Sequence, residues 1–100
     1  MSIYIIAQFA IHDRELYSKY EDGFMDVFEQ FDGRLLSVDE APTLLQGEWT
    51  ATRCVLIEFP SKQSAMAWMT SPAYQEIAKD RLAASTGNVI MVNGLEDQVS

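Results

Sequence analysis

Apolar residues in this chain change their spacing along its length, and each change marks an element. Residues 3–10, Ile-Tyr-Ile-Ile-Ala-Gln-Phe-Ala, carry β-forming side chains without a turn residue among them. Alternation puts Ile3, Ile5, Ala7 and Phe9 on one face and Tyr4, Ile6, Gln8 and Ala10 on the other. Both faces are largely apolar, which predicts cover on both sides: helices over one and, in so small a chain, a second subunit over the other. From Asp13 the spacing turns to three and four. Asp13 suits an N-cap, Glu15 sits near the positive end of the helix dipole, and Leu16, Tyr20, Phe24, Val27, Phe28 and Phe31 draw one stripe of a helix running to about Phe31. Gly33 is expected to close that helix in a left-handed conformation.

A short strand is expected over 34–38, a loop over 39–48, and a third strand over 49–59. In that strand Trp49, Ala51, Arg53, Val55, Ile57 and Phe59 share one face, with Thr50, Thr52, Cys54, Leu56 and Glu58 on the other. Ser61, after Pro60, caps a short helix whose buried side is Ala65, Met66, Trp68 and Met69. Ser71 followed by Pro72 starts another, with Tyr74, Ile77, Ala78, Leu82 and Ser85 inside, because proline tolerates the first helical position and serine accepts the free amides. Gly87 is expected to end it and residues 88–93 to form a fourth strand. The order strand, helix, strand, strand, helix, strand is the βαββαβ arrangement of ferredoxin-like folds, an α+β class with a four-stranded antiparallel sheet and helices on one face. One domain over 1–94 and a short acidic tail over 95–100 account for the chain. The uncovered apolar sheet face predicts a homodimer built by packing two sheets about a two-fold axis into an α+β barrel.

Charge narrows the partners. Fifteen acidic against seven basic residues give a net −8, which repels a phosphate backbone, so nucleic acid is not expected as a partner. No apolar run approaches the roughly 20 residues needed to cross a bilayer, and the first residues read directly as strand, so no membrane association and a cytoplasmic location are expected. Cys54 is the single cysteine, so neither an intrachain disulfide nor a thiolate metal cluster can form, and in an apolar strand it reads as a buried filler rather than a nucleophile.

The residues also carry a resemblance. The run Arg53-x-Val55-Leu56-Ile57-Glu58-Phe59-Pro60-Ser61, then Ala65-x-x-Trp68-x-x-Ser71-Pro72-x-Tyr74-Gln75, then Arg81, with Tyr17-x-x-Tyr20, Gly33-Arg34 and Gly47 elsewhere, resembles family 1330 of the domains of unknown function, in the dimeric α+β barrel superfamily. The resemblance spans nearly the whole chain and implies a ferredoxin-like subunit and a two-chain barrel. It implies no single reaction, because the superfamily includes cofactor-independent monooxygenases, haem-degrading enzymes, lactone isomerases and small binding proteins. Where the family often carries Glu-Gly, this chain has Gln46-Gly47, which removes a carboxylate from that position unless Glu48 substitutes for it.

Candidate chemistry starts from Glu58, a carboxylate in an apolar strand where desolvation would raise its pKa, with Arg34 or Arg53 as its partner. The competing reading is a structural ion pair. Arg34 and Arg53 are alternatively a clamp for an organic anion, since guanidinium presents a planar fork of donors, and Arg81 either closes the pocket or packs its stem. Tyr17, Tyr20, Trp68 and Tyr74 are candidate aromatic walls with polar tips, against the alternative of ordinary core packing. His12, between the first strand and helix, is a candidate ligand contact or simply a surface histidine. No metal site and no cofactor are expected; haem on His12 follows from the superfamily resemblance alone. Phosphate loops, dinucleotide fingerprints and hydrolase elbows are absent. The reading is a homodimer that binds a small aromatic or anionic metabolite, with cofactor-independent proton transfer or monooxygenation as its candidate chemistry and a non-catalytic ligand-binding or regulatory dimer as the alternative.

Overall fold

Strand alternation is realised from the first element onward. In the computed structural model of the chain, which describes residues 2–95, β1 (Ile3–Ile11) turns Ile3, Ile5, Ala7 and Phe9 into the core. There follow α1 (Arg14–Phe28), β2 (Arg34–Asp39), β3 (Arg53–Phe59), α2 (Lys62–Met69), α3 (Pro72–Ala84) and β4 (Ser85–Asn93). The sheet order is β2-β3-β1-β4 with every neighbouring pair antiparallel, the ferredoxin-like order, its second crossover divided into two helices. The predicted caps form: Asp13 accepts from the Leu16 amide, Ser61 from Ser64 and Ser71 from Tyr74, with Pro72 opening α3. The expected acidic tail lies, beyond Leu95, outside the described residues.

The helices cover one face of the sheet, and an aromatic cluster fixes them there. Trp68 of α2 lies 4.3 Å from the Tyr74 ring, stacks on Phe59 at 5.6 Å and meets Phe28 edge-on at 5.4 Å. On the opposite face, register aligns Leu56, Ile6 and Ile90 in one apolar row across β3, β1 and β4, and Ile90 is 52% exposed. No helix of the described residues is long and apolar enough to cross a membrane.

Several local expectations differ from the structure. The third strand begins at Arg53, not at Trp49, because the Thr52 hydroxyl accepts the Ile11 amide and takes a position a strand carbonyl would otherwise hold. Helix α1 ends at Phe28, and Gly33 is not left-handed; a Cβ there would come within 2.6 Å of the Phe28 and Phe59 rings, so glycine is needed for space. Gly87 lies inside β4, where a Cβ would approach the Gln8 carbonyl oxygen to 1.9 Å. Helix α3 stops at Ala84, whose carbonyl accepts the His12 and Asp13 amides, so Ser85 begins the strand. Leu82 is exposed, with Arg81 in the inner position, and Met66, expected on the buried side of α2, is also exposed, leaving Ala65 and Trp68 to face the core.

Candidate functional site

Strand β2 lies at the sheet edge, and a register shift between Leu35 and Ser37 inserts one extra residue opposite β3. Its helix-facing apolar side chains, Leu35 and Val38, therefore stand against α1 without closing on it. Between them lies a cavity of about 180 Å³, lined from α1 by Tyr17, Tyr20, Glu21, Phe24 and Met25, from β2 by Leu35 and Val38, and from β3 by Arg53 and Val55. An engineered apolar cavity of about 150 Å³ holds benzene, so this one has room for a single ring with small substituents.

Charge gathers beside it. Arg53, on the helix-facing side of β3 with its side chain only 11% exposed, places Nη1 3.0 Å from Glu21 and 3.7 Å from Glu40. Arg14, at the start of α1, reaches the same two acids, at 3.0 Å to Glu21 and 3.3 Å to Glu40. Both guanidinium groups lie over the Tyr17 ring, 5.3 and 5.7 Å from its centroid. Two arginines and two glutamates from α1, β3 and the loop after β2 thus form a charge-balanced group, which meets the cavity through Arg53 and Glu21 while Arg14 and Glu40 stand behind them.

Behind the wall, the Tyr20 and Tyr74 hydroxyls are hydrogen-bonded at 3.0 Å in a buried position. Arg81 is 8% exposed, lies 4.9 Å from the Phe9 ring centroid and 5.9 Å from that of Tyr20, and has no acid partner among the described residues. Burial, reinforced by Tyr74, drives the Tyr20 phenol far above its ordinary value of 10.0, and burial likewise raises Tyr17 against the opposing pull of Arg53. Both are proton donors at neutral pH. A phenol whose pKa is higher in the folded than in the unfolded chain contributes stability that is complete below pH 10 and lost as pH rises above it. Stability is therefore expected to fall above pH 10 with a slope of up to about 1.4 kcal/mol per pH unit from Tyr20, shallower in Tyr20→Phe. Denaturant titrations across that range, with tyrosine ionisation followed by ultraviolet absorbance, measure it; free ionisation of every tyrosine in the folded protein near pH 10 would contradict it.

The sequence-derived candidates divide by face. Arg53, Tyr17 and Tyr20 line the cavity. Glu58 and Arg34 face one another across β2 and β3 at 3.0 Å, but on the opposite side of the sheet from Arg53, so the three form no common site. Trp68 and Tyr74 sit in the aromatic core, and Arg81 lies behind Tyr20. His12 is exposed beyond the end of β1, its amide bonded to the Ala84 carbonyl. Gln46 and Glu48 do not reach the cavity; Glu48 borders a separate polar recess with Gln8, Trp49 and Asn88. Sequence reasoning missed Arg14, Glu21 and Glu40. A helical signal existed for two of them, because Arg14, Tyr17 and Glu21 are spaced by three and four and share a helix face; Glu40 lies in a loop and carries no such signal.

Solved structures with this architecture place the fold among known proteins. A protein of unknown function from Rhodopseudomonas palustris matches with a TM-score of 0.80 at 20% identity, over 94% of this chain and 82% of that one. A dimeric ferredoxin-like protein of unknown function from Jannaschia sp. CCS1 matches with a TM-score of 0.70 at 11% identity, over 94% of this chain and all of the other. SnoaB, a cofactor-independent oxygenase from Streptomyces nogalater, matches with a TM-score of 0.64 at 17% identity, over 93% and 92%. At these identities the likeness establishes the fold alone. No curated protein matches the chain in sequence. The family model described as a domain of unknown function, DUF1330, matches residues 2–95, and with the ferredoxin-like sheet order this chain belongs to that family.

Proposed function

We propose that this protein is a homodimer that binds a small anionic aromatic metabolite in the cavity between α1 and the β2–β3 edge, and acts on it without a cofactor, by proton transfer or oxygenation. The observation that carries this reading is the cavity itself, an apolar space of single-ring size with a nearly buried arginine on its wall. Tyr17 supports it: held protonated by burial, its hydroxyl has no hydrogen-bond partner among the described residues and is free to donate to a ligand oxygen. A fold shared with a cofactor-independent oxygenase supports the chemistry by analogy of architecture. The homodimer is supported by the dimeric state of a structural neighbour and by the apolar row on the open sheet face.

A library of single-ring aromatic acids, phenols and neutral analogues, screened by ligand-observed NMR, tests the cavity. Val38→Trp, at an edge-strand position on the cavity wall, is expected to abolish binding with the fold intact, and Arg53→Ala to weaken acidic ligands by about tenfold to a hundredfold, the loss of one charge-assisted hydrogen bond. Binding that survives Val38→Trp would move the site elsewhere. Ligand recovered unaltered after long incubation with and without oxygen would favour the non-catalytic reading.

A further inference from the structure

The group beside the cavity holds one acid tightly and one loosely. Glu21 lies 3.0 Å from both arginines and is 28% exposed, whereas Glu40 stands 3.3 Å from Arg14 through Oε2 and 3.7 Å from Arg53 through Oε1, and is 50% exposed. Each oxygen of the Glu40 carboxylate thus faces a different arginine. That is the arrangement in which a fork of two guanidinium groups receives any carboxylate. The two groups are fixed independently of Glu40, because both lie over the Tyr17 ring and both are held by Glu21. Glu40 itself opens the 40–52 loop between β2 and β3, a segment whose Leu44 and Leu45 face solvent.

We propose that Glu40 is a resident carboxylate in an anion-binding fork made by Arg14 and Arg53, and that a carboxylate ligand with its ring in the cavity displaces it and frees the start of the 40–52 loop, whose far end stays bonded to β1 through Thr52. The proposal rests on the cavity reading above and names the ligand's anionic group and what it must displace. Exchange of one carboxylate for another keeps the two arginines and two acids in balance, so no charge is left buried without a partner. An exposed ion pair contributes little, so the competition Glu40 offers is modest and a ligand with apolar surface to bury overcomes it. The observed affinity is then reduced by the fraction of protein in which Glu40 occupies the fork.

Benzoate and benzamide share a ring and differ in charge, which makes them the probes. Calorimetry is expected to show benzoate binding more tightly than benzamide, and Glu40→Gln, an isosteric change at a half-exposed position, to tighten benzoate by about two- to fivefold while leaving benzamide unchanged. Hydrogen exchange on the wild-type protein reads the loop directly: benzoate is expected to speed exchange of amides in residues 40–48, next to Glu40, and benzamide is not, while the Thr52 amide, bonded to the Phe9 carbonyl, is unchanged by either. Equal binding of the two probes would overturn the fork while leaving the cavity in place. Unchanged or weaker benzoate binding in Glu40→Gln, or protection of the loop by benzoate, would overturn displacement and make Glu40 part of the ligand's enclosure. If neither probe binds, both the fork and the cavity reading fail.

Discussion

Trp68→Ala is expected to lower the unfolding free energy by about 3–5 kcal/mol, a large share of the roughly 5–15 kcal/mol that holds a domain of this size together. The indole is 2% exposed and is the ring on which Phe28, Phe59 and Tyr74 converge, from α1, β3 and α3. Truncation removes the contact through which α2 is anchored to the sheet and leaves a void that these rings cannot fill without leaving their present packing. Trp68→Phe is expected to cost distinctly less, since a ring remains and the indole N–H, buried without a hydrogen-bond partner among the described residues, is removed with the larger ring. Denaturant unfolding at fixed protein concentration measures both, the fixed concentration being needed because association shifts apparent stability. The same variants separate core from cavity. Trp68→Phe is expected to leave ligand affinity within about twofold, because the indole does not line the cavity; a loss of tenfold or more with an unchanged fold would make Trp68 a ligand wall after all.

Trp68 and Tyr17 show how much helical spacing carries about burial. Helical spacing placed Trp68 inside, and it is inside. Tyr17 stands three residues before Tyr20 and seven before Phe24, on the same helix face as the apolar stripe drawn through them, and it is 1% exposed, with the two arginines over its ring completing its enclosure. Strand parity carried more information than the pairing expectations used. Arg53 and Glu58 differ by an odd number of positions, which puts them on opposite faces, and the structure keeps them apart while Arg34 meets Glu58 across the ladder.

Glycine and loops were less legible, for a physical reason. Gly33 and Gly87 look like helix terminators in the sequence because glycine tolerates a left-handed backbone, but the same residue is required wherever another group leaves no room for a Cβ, as Phe28, Phe59 and the Gln8 carbonyl do here. One letter serves two causes, and local context does not choose between them. Glu40 is the extreme case. Its partners are 26 residues before it and 13 after it, brought together by the β2–β3 register and the placement of α1, so no period along the chain points to it.

Ile90→Asp is expected to convert the proposed dimer into a monomer at micromolar concentration. Ile90 stands on edge strand β4 in the row with Ile6 and Leu56, on the sheet face without helices. A two-fold interface repeats every substitution, so two carboxylates would have to be desolvated at several kcal/mol each, enough to raise the dissociation constant by orders of magnitude. In the isolated subunit the same change, at a position already 52% exposed, costs about 1 kcal/mol or less, so the fold survives the test. Sedimentation of wild type and variant measures the mass, and far-ultraviolet circular dichroism confirms the fold. Cys54 supplies an independent reporter. It lies on the same face, paired in register with Gln8, and is partly accessible in the subunit, so a second sheet packed over it would slow its alkylation. In the wild type the alkylation rate is expected to rise on dilution through the dissociation range, and in Ile90→Asp to be fast at every concentration. A monomeric wild-type mass at micromolar concentration would end the proposal, because an apolar homodimer interface burying roughly 2,000 Å² or more in total persists there. A dimeric mass with Cys54 alkylation indifferent to dilution would instead place the contact between subunits on another surface, leaving the Leu56, Ile6 and Ile90 row open.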